Sequence, residues 1–160
     1  MQIHTANYDL LTTWRGGMAC RTCCQSFSID NRQPVHQTHV IDSDEPEALG
    51  GEGLAPNPQE LMLAALNACM TAAFVQEARS EGVTLTHLEI QTHGQLMTGI
   101  SSSCEKTVGD IPGQLQYVIH VSGQGTMHQF EQIHRRVISA SFNRWLVAQN
   151  MTIEGDLILN

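Results

Sequence analysis

Basic side chains are scarce in this chain of 160 residues, which has eight Lys and Arg residues against sixteen Asp and Glu and a formal net charge of −8. Lys106 is the one lysine, and the arginines are spread thinly, so no basic stripe is available to neutralise a phosphate backbone. Nucleic-acid binding is therefore disfavoured. Charged residues make up 15% of the chain, well below the usual share of about a quarter. This shortage predicts that a second copy of the chain covers part of the surface.

Export and membrane signals are also missing. The first residues have no basic stretch followed by an apolar one, so we expect no secretory signal and a cytoplasmic location. The longest apolar stretch, residues 61–75, is interrupted by Asn67 and Thr71 and is shorter than the roughly 20 residues of a membrane span. It predicts a buried core helix and no membrane partner. The length suits a single domain over residues 1–160.

Motifs for phosphate binding and for serine hydrolysis do not occur. The chain contains neither a Walker A sequence nor Gly-x-Gly-x-x-Gly, and no serine lies in a Gly-x-Ser-x-Gly elbow. The eight histidines are scattered, and their spacings fit a strand or loop surface as readily as a metal site. Nucleotide-binding and hydrolase functions lack support, and we expect neither a metal nor another cofactor.

The elements that are present predict an α+β fold in the order β-rich, α, β, α, β. In the first third, residues 9–29 are broken by Gly16-Gly17, which favours a hairpin. Residues 35–41 predict a further strand. Residues 42–46 predict an acidic loop that turns outward.

A long helix is the strongest structural prediction. Asn57 suits the N-cap and Pro58 the first helical position, and the helix should run to Ser80, before Gly82. It is apolar nearly all round, so it should be enclosed by sheet and by other helices.

The rest of the chain predicts strands over residues 83–95 and 114–123, separated by a loop that holds Gly99 to Pro112. A single second helix follows over residues 127–149, and a closing strand over residues 152–159. Five positions of the second helix are predicted to face the interior: Phe130, Ile133, Val137, Ala140 and Trp145.

Cys69 lies inside the first predicted helix, and two interpretations of it are open. A free cysteine is often a small apolar filler of a protein core. A reactive thiol must instead be ionised, which requires a positive charge or strong hydrogen-bond donors nearby. No arginine or lysine lies within a helical turn of Cys69, so an activating group would have to come from elsewhere in the fold.

Three further cysteines, Cys20, Cys23 and Cys24, form a Cys-x-x-Cys-like group. A zinc site is one interpretation, but no second pair of ligands completes it. Arg21 beside these thiols favours a redox role, and packing against the first helix is the plainest alternative. Cys104 falls in the predicted loop, where it is either a resolving thiol or a tolerated one.

The segment Pro56–Cys69 resembles the central-helix motif of the OsmC/Ohr family, in which Asn-Pro-Glu-x-Leu is followed by small and apolar residues and then by Ala-Cys. The spacing from Asn57 to Cys69 matches without a gap. The hairpin sequence Trp14-Arg15-Gly16-Gly17 extends the similarity. The resemblance implies an OsmC-like fold with N-terminal β-hairpins, a long buried central helix, further strands, a second helix and a closing strand. It also implies an intertwined homodimer.

The resemblance further implies a thiol-dependent hydroperoxide reductase active in oxidative-stress defence, with Cys69 as the peroxidatic cysteine. Its small-molecule partners would be an organic hydroperoxide and a thiol reductant. An arginine from the hairpin, held by the motif's glutamate, activates the thiol in this family. Arg21 is the first candidate for that arginine and Arg15 the second. Gln59 occupies the glutamate position here, and Glu60 follows it, so the implied catalytic residues are Cys69, Arg21 and Glu60.

One departure from the family concerns the second thiol. Its peroxidases carry a resolving cysteine in the second helix, where this chain has Ser139-Ala140-Ser141. A sulfenic acid on Cys69 would be resolved by Cys20, Cys23, Cys24 or Cys104, or by a small thiol. The alternative function is a non-catalytic member that binds a small apolar or thiol-bearing ligand at the dimer interface. A metal-binding module built on the three clustered cysteines is a third possibility.

Overall fold

A computed structural model describes residues 4–30, 32–96 and 113–160. The chain forms two compact units, and the second begins after Leu61. The predicted loop from Gly99 to Pro112, which includes Cys104 and Lys106, lies outside the described residues. The architecture is α+β, as predicted, and it contains two sheets.

The sheet of the first unit is organised around a long hairpin. Strands β1 (Ala6–Gly16) and β2 (Ala19–Ile29) pair antiparallel, and both glycines of the predicted turn have positive φ, 109° at Gly16 and 53° at Gly17. The Trp14 indole N–H donates to the Gly17 carbonyl at 3.0 Å. Two short strands, β3 (Val35–His36) and β4 (Val40–Ser43), pair antiparallel with β2 and complete a four-stranded sheet.

The prediction of one continuous strand over residues 35–41 is wrong. His36 pairs with Ser26, and Val40 pairs with Cys23. Between these two pairs, the segment from β3 to β4 therefore contains one more residue than the part of β2 that it faces. An extra residue in one strand of an antiparallel pair interrupts the ladder. The segment is therefore two strands with a bulge between them.

The predicted outward turn of the acidic loop is wrong at Asp44, which is 3% exposed. Its carboxylate accepts the backbone N–H groups of Glu45 at 2.9 Å, Glu52 at 3.0 Å and Leu54 at 3.3 Å. A buried carboxylate needs hydrogen-bond donors, and these three backbone N–H groups supply them. Asp44 thus fastens the loop that leads to the long helix.

Helix α1 (Pro58–Ser80) has the predicted bounds. Asn57 Oδ1 accepts the Glu60 backbone N–H at 2.8 Å, and the Glu60 carboxylate accepts the Asn57 N–H at 2.8 Å, which makes a capping box. At the other end, Gly82 has a φ of 68° and donates its N–H to the Arg79 carbonyl.

The second unit contains a three-stranded sheet and two further helices. Strand β5 (Thr84–Gln95) pairs antiparallel with β6 (Gly113–Gln124), and β7 (Met151–Leu159) pairs with β6 in parallel. Helices α2 (Met127–Ala140) and α3 (Phe142–Ala148) lie between β6 and β7 in the chain. The core is built from α1, β6 and α2, together with Val83: Leu66, Met70, Phe74, Ala78, Leu115, Tyr117, Ile119, Val121, Phe130, Ile133 and Val137.

The prediction that α1 is enclosed all round is not met within one chain. Its buried residues, Leu66, Met70, Phe74 and Ala78, form a single stripe at intervals of four residues. An opposite stripe, Ala64, Ala68 and Ala72, is exposed. By length and composition the 23-residue helix could cross a membrane, contrary to the expectation that it is too short. Its buried stripe, however, packs in the core of the second unit.

The single predicted helix over residues 127–149 is in fact two helices. Ser141 has extended geometry, with φ −75° and ψ 107°, and this turns the chain between α2 and α3. Phe130, Ile133 and Val137 are buried as predicted, and Ala140 is half-buried. Trp145 is 53% exposed and does not face the interior, because the turn at Ser141 breaks the helical phase on which that prediction rested.

Candidate functional site

Cys69 lies in the fourth turn of α1, in the second unit, and its side chain is half-buried. Its sulfur accepts a hydrogen bond from the hydroxyl of Ser141, with 3.3 Å between Oγ and Sγ. Ser141 itself is 1% exposed. The buried core residue Met70 follows Cys69, and Leu66 lies one turn before it. Cys69 is thus at the edge of the core, beside a buried hydroxyl.

Ser141 reaches the sulfur because of the turn between α2 and α3. Its backbone N–H donates to the Val137 carbonyl at 2.9 Å and closes α2. Its Oγ accepts the Arg144 backbone N–H at 3.4 Å, so the same side chain caps α3. Sequence reasoning noted Ser141 for its place in the second helix but missed this contact. A serine between two apolar helical runs is an N-cap signal that indicated the turn.

Arg21, the predicted activating arginine, lies on β2 in the first unit. Its Nε and Nη2 donate to the two oxygens of Asp42 on β4, at 2.7 and 2.9 Å. This bidentate pair raises the pKa of Arg21 and lowers that of Asp42, in both cases chiefly through the hydrogen bond. Arg15, the second candidate, contributes to the lowered pKa of Asp42 through its charge.

Glu60 and Gln59 open α1 and also belong to the first unit. The Glu60 carboxylate is occupied by the capping box with Asn57. The Gln59 side-chain oxygen is buried and has no hydrogen-bond partner within the described residues. A buried acceptor without a donor is unusual, and Gln59 stands where the family motif has its arginine-binding glutamate. Its amide oxygen therefore remains available to a donor.

The clustered cysteines lie on β2, and all three are free and half-buried. Cys20 is opposite Trp14 on β1 and Ser43 on β4, while Cys23 is opposite Leu11 and Val40. In residues 4–30, 32–96 and 113–160, no group of three or more His, Cys, Asp or Glu side chains could hold a metal ion. Packing within the sheet is the arrangement that their neighbours indicate.

A second polar cluster in the second unit was not found by sequence reasoning. The hydroxyl of Tyr117, which is 2% exposed, lies 2.9 Å from His134 Nε2. Burial lowers the pKa of His134, and the charge of Arg144 lowers it further, against a smaller opposing effect of Asp156. Burial likewise raises the pKa of Tyr117. The imidazole is therefore neutral near pH 7, and its Nε2 can accept the hydroxyl proton.

Of the residues predicted to act together, Cys69 lies in the second unit, whereas Arg21 and Glu60 lie in the first. Their assignment to one site stays a prediction. The structure does bring Ser141 to Cys69. The side-chain amide of Asn143 also donates to the Ala65 carbonyl at 2.9 Å, so a second contact joins the start of α3 to α1 one turn before Cys69.

Comparison with known proteins places these features in context. A family model described as OsmC-like protein matches residues 50–154. No curated protein matches the chain in sequence. An OsmC-like protein from Mycoplasma pneumoniae is similar in structure, with a TM-score of 0.68, 12% sequence identity and 96% of each chain covered.

Two other solved structures have names that refer to peroxide stress. An organic hydroperoxide resistance protein OsmC from Legionella pneumophila has a TM-score of 0.59 and 18% identity over 94% of this chain and 96% of its own. The organic hydroperoxide resistance protein OhrB of Bacillus subtilis has a TM-score of 0.58 and 16% identity over 95% of this chain and 98% of its own. At these identities the likeness shows a shared fold.

Proposed function

Because the chain belongs to the family of OsmC-like proteins, we propose that it is a thiol-dependent reductase of organic hydroperoxides, with Cys69 as the peroxidatic cysteine. The observation that carries the proposal is the setting of Cys69. Cys69 is half-buried at the edge of an apolar core, and its sulfur accepts a hydrogen bond from the hydroxyl of the buried residue Ser141. An apolar surrounding suits the alkyl part of an organic hydroperoxide, and the hydroxyl can stabilise charge on the sulfur.

In the proposed reaction, the Cys69 thiolate attacks one oxygen of the hydroperoxide. An S–O bond forms as the O–O bond breaks, and the leaving alkoxide takes up a proton to become an alcohol. The sulfur is oxidised to a sulfenic acid and the peroxide is reduced, a transfer of two electrons. Two equivalents of thiol then return Cys69 to its reduced form and release water and a disulfide.

Arg21 is the residue that we propose to supply positive charge to this reaction. A guanidinium carries its charge at every physiological pH and binds oxygen atoms through several N–H groups. Asp42 holds Arg21 by a bidentate pair, which fixes the direction of its remaining donors. The free oxygen of Gln59 is a further acceptor for an arginine. We assign Glu60 to the same site through its position in the motif.

A homodimer is the assembly that we propose. In the described residues of the first unit, only the polar residues Ser43 and Asp44 are buried, and no apolar side chain is. Large apolar side chains on its hairpin are exposed instead: Tyr8, Leu10, Leu11, Trp14 and Met18. Exposed apolar side chains that lie close together often mark a surface that another protein covers. A second copy that packs on the hairpins and on the exposed alanines of α1 would remove this surface from water.

A cytoplasmic location completes the proposal. All four cysteines in the part of the chain that the structure describes are free thiols, and thiols persist in a reducing compartment. The reductant would be a thiol of that compartment.

Peroxide consumption tests the function directly. Purified protein is mixed with cumene hydroperoxide and a dithiol, and the loss of peroxide is compared among wild type, Cys69→Ser and Cys23→Ser. We expect Cys69→Ser to fall to the rate seen without protein and Cys23→Ser, a half-buried cysteine on β2, to match wild type. Equal rates for wild type and Cys69→Ser would reject the reductase.

A non-catalytic binding protein is the second candidate. The neutral amide of Gln59, in place of a carboxylate, is the observation that favours it. If the protein has this function, wild type should not reduce peroxide. A small apolar or thiol-bearing ligand should be retained on purification and should protect Cys69 from alkylation.

A further inference from the structure

Ser141 is the buried hydroxyl at the turn between α2 and α3. A serine hydroxyl has one proton to donate and lone pairs with which to accept. The lone pairs take the Arg144 backbone N–H at 3.4 Å, and the proton is directed at Cys69 Sγ at 3.3 Å. With 1% of its surface exposed, Ser141 is held in this double role by the packing around it.

The turn that carries Ser141 is fixed to α1 by a second contact. Asn143, two residues on, donates its side-chain amide to the Ala65 carbonyl at 2.9 Å. Ala65 and Cys69 are one helical turn apart, so both contacts fall on one face of α1. The turn that places Ser141 beside Cys69 is therefore held to α1 by two side-chain contacts.

The group beside the Cys69 sulfur is thus a hydroxyl, which cannot form a disulfide. In the second unit, residues 62–96 and 113–160 contain no cysteine besides Cys69. A sulfenic acid on Cys69 would meet the hydroxyl of Ser141, and a thiol that resolves it must approach from outside this contact. Cys69 is half-buried, which leaves part of its side chain open to a small molecule.

Building on the proposed reductase, we propose that Ser141 is a positioning residue of a one-cysteine cycle, in which an external low-molecular-weight thiol resolves Cys69. The hydroxyl of Ser141 orients the Cys69 sulfur and stabilises its anion during attack on the peroxide. The external thiolate then attacks the sulfenic sulfur. An S–S bond forms, the S–O bond breaks, and the oxygen leaves as hydroxide, which takes up one proton to become water. A second molecule of the thiol reduces this mixed disulfide to Cys69 and a free disulfide.

The product of a single oxidation tests the resolving step. Reduced protein receives one equivalent of cumene hydroperoxide and then glutathione, and its mass and peptide map are recorded. Wild type should carry one glutathione on Cys69. Ser141→Cys should instead form a disulfide between Cys69 and the introduced thiol, with no adduct, because a sulfur in place of Oγ lies next to Sγ. A disulfide in wild type between Cys69 and Cys20, Cys23, Cys24 or Cys104 would overturn the one-cysteine cycle.

A second oxidant tests the position of Ser141 independently of the proposed reduction of peroxides. Oxidised glutathione forms a mixed disulfide on a thiolate without any peroxide. With it, wild type should stop at the adduct on Cys69, and Ser141→Cys should go on to the internal disulfide and release glutathione. If this arm succeeds and no variant reacts with peroxide, the reductase fails and the position of Ser141 stands. If Ser141→Cys keeps the adduct under both oxidants, the inference fails.

The positioning role is tested by measuring the rate of peroxide reduction in four variants, together with the stability of each. Ser141→Ala removes both the donor and the cap of α3, whereas Ser141→Gly removes the donor and retains most of the capping preference. Both should react about ten- to a hundredfold more slowly with cumene hydroperoxide, the effect of losing a hydrogen bond to a charged group. Ser141→Thr, which keeps a hydroxyl, should recover most of the rate.

Ser139→Ala is the matched control, since within the described residues that hydroxyl bonds to the Arg135 and Arg136 carbonyls of its own helix and to no other group. It should react like wild type. A folded Ser141→Gly protein with the wild-type rate would show that Ser141 is structural only.

Discussion

At the scale of single residues, the pair of Tyr117 and His134 shows how burial changes the pKa of a titratable side chain. The Tyr117 hydroxyl can donate to His134 Nε2 only while the imidazole is neutral. Burial favours the neutral form, and the positive charge of Arg144 favours it further. Gly155 on β7 makes room for the tyrosine, because a Cβ there would lie 1.9 Å from Tyr117 Cζ. The position of the Tyr117 ring thus depends on the absence of a side chain at Gly155, and its hydrogen bond depends on a neutral His134.

This pair predicts that the protein loses stability in mild acid. The folded-state pKa of His134 is below its usual 6.5, so near pH 7.5 the residue is neutral in both the folded and the unfolded chain. As the pH falls below 6.5, the unfolded chain binds a proton that the folded chain resists, and the free energy of unfolding decreases. The loss is complete once the pH is below the folded-state pKa.

Urea denaturation at pH 7.5 and at pH 5 measures this loss. His134→Gln should lose less stability between the two pH values than wild type does. His128→Gln, an exposed histidine of the same helix, should keep the wild-type difference. The same difference in His134→Gln and in wild type would refute the assignment.

At the scale of elements, the sequence predicted those boundaries that local chemistry sets. Asn57 and Pro58 begin α1 and Gly82 ends it, because a cap, a fixed φ and a positive φ act within a few residues. The turn at Ser141 was missed because the apolar spacing continues across it and no Gly or Pro marks it, which left the capping serine as its one local signal. Asp44 was missed because its acceptor role depends on backbone groups up to ten residues away.

The same distinction applies to the candidate site. The motif identified Cys69 from residues of its own helix, whereas its hydrogen bond to Ser141 joins residues 72 positions apart. Contacts of that kind depend on how distant elements pack in the folded chain, which no local pattern encodes. The partner of Arg21 could not be predicted for the same reason, since Asp42, which forms the bidentate pair, lies on another strand.

The start of α1 provides a test of Glu60. A capping box accepts either Glu or Gln at its last position, so Glu60→Gln should retain the bond to the Asn57 N–H and unfold at nearly the wild-type urea concentration. If the charge of Glu60 also serves the catalytic arginine, the same variant should reduce peroxide more slowly. Urea denaturation and the cumene hydroperoxide assay measure the two effects separately.

Glu60→Ala is the control for the cap, since it removes the acceptor of the Asn57 N–H and should unfold at a lower urea concentration than wild type. A Glu60→Gln protein with wild-type stability and a wild-type rate would confine Glu60 to capping the helix.

At the scale of the whole molecule, a low charge and a large exposed apolar surface have one explanation. Charged residues are 15% of the chain, and apolar side chains of the hairpin and of α3, such as Trp14 at 74% and Phe142 at 63%, remain exposed. Burying apolar surface contributes about 25 cal/mol per Å². A second copy that covers these residues would stabilise the fold as well as the assembly, so subunit folding and association should be coupled.

The exposed alanine stripe of α1 allows this coupling to be tested. Ala72 is exposed in the single chain, so Ala72→Arg leaves the core of one subunit intact but places a charge where the second copy is proposed to pack. We expect wild type to sediment as a dimer at micromolar concentration, and Ala72→Arg to sediment as a monomer with a lower midpoint of thermal unfolding. Gln91→Arg, on an exposed position of β5, should remain dimeric. A monomeric wild type, or a dimeric Ala72→Arg protein of unchanged stability, would show that α1 is not part of a dimer interface.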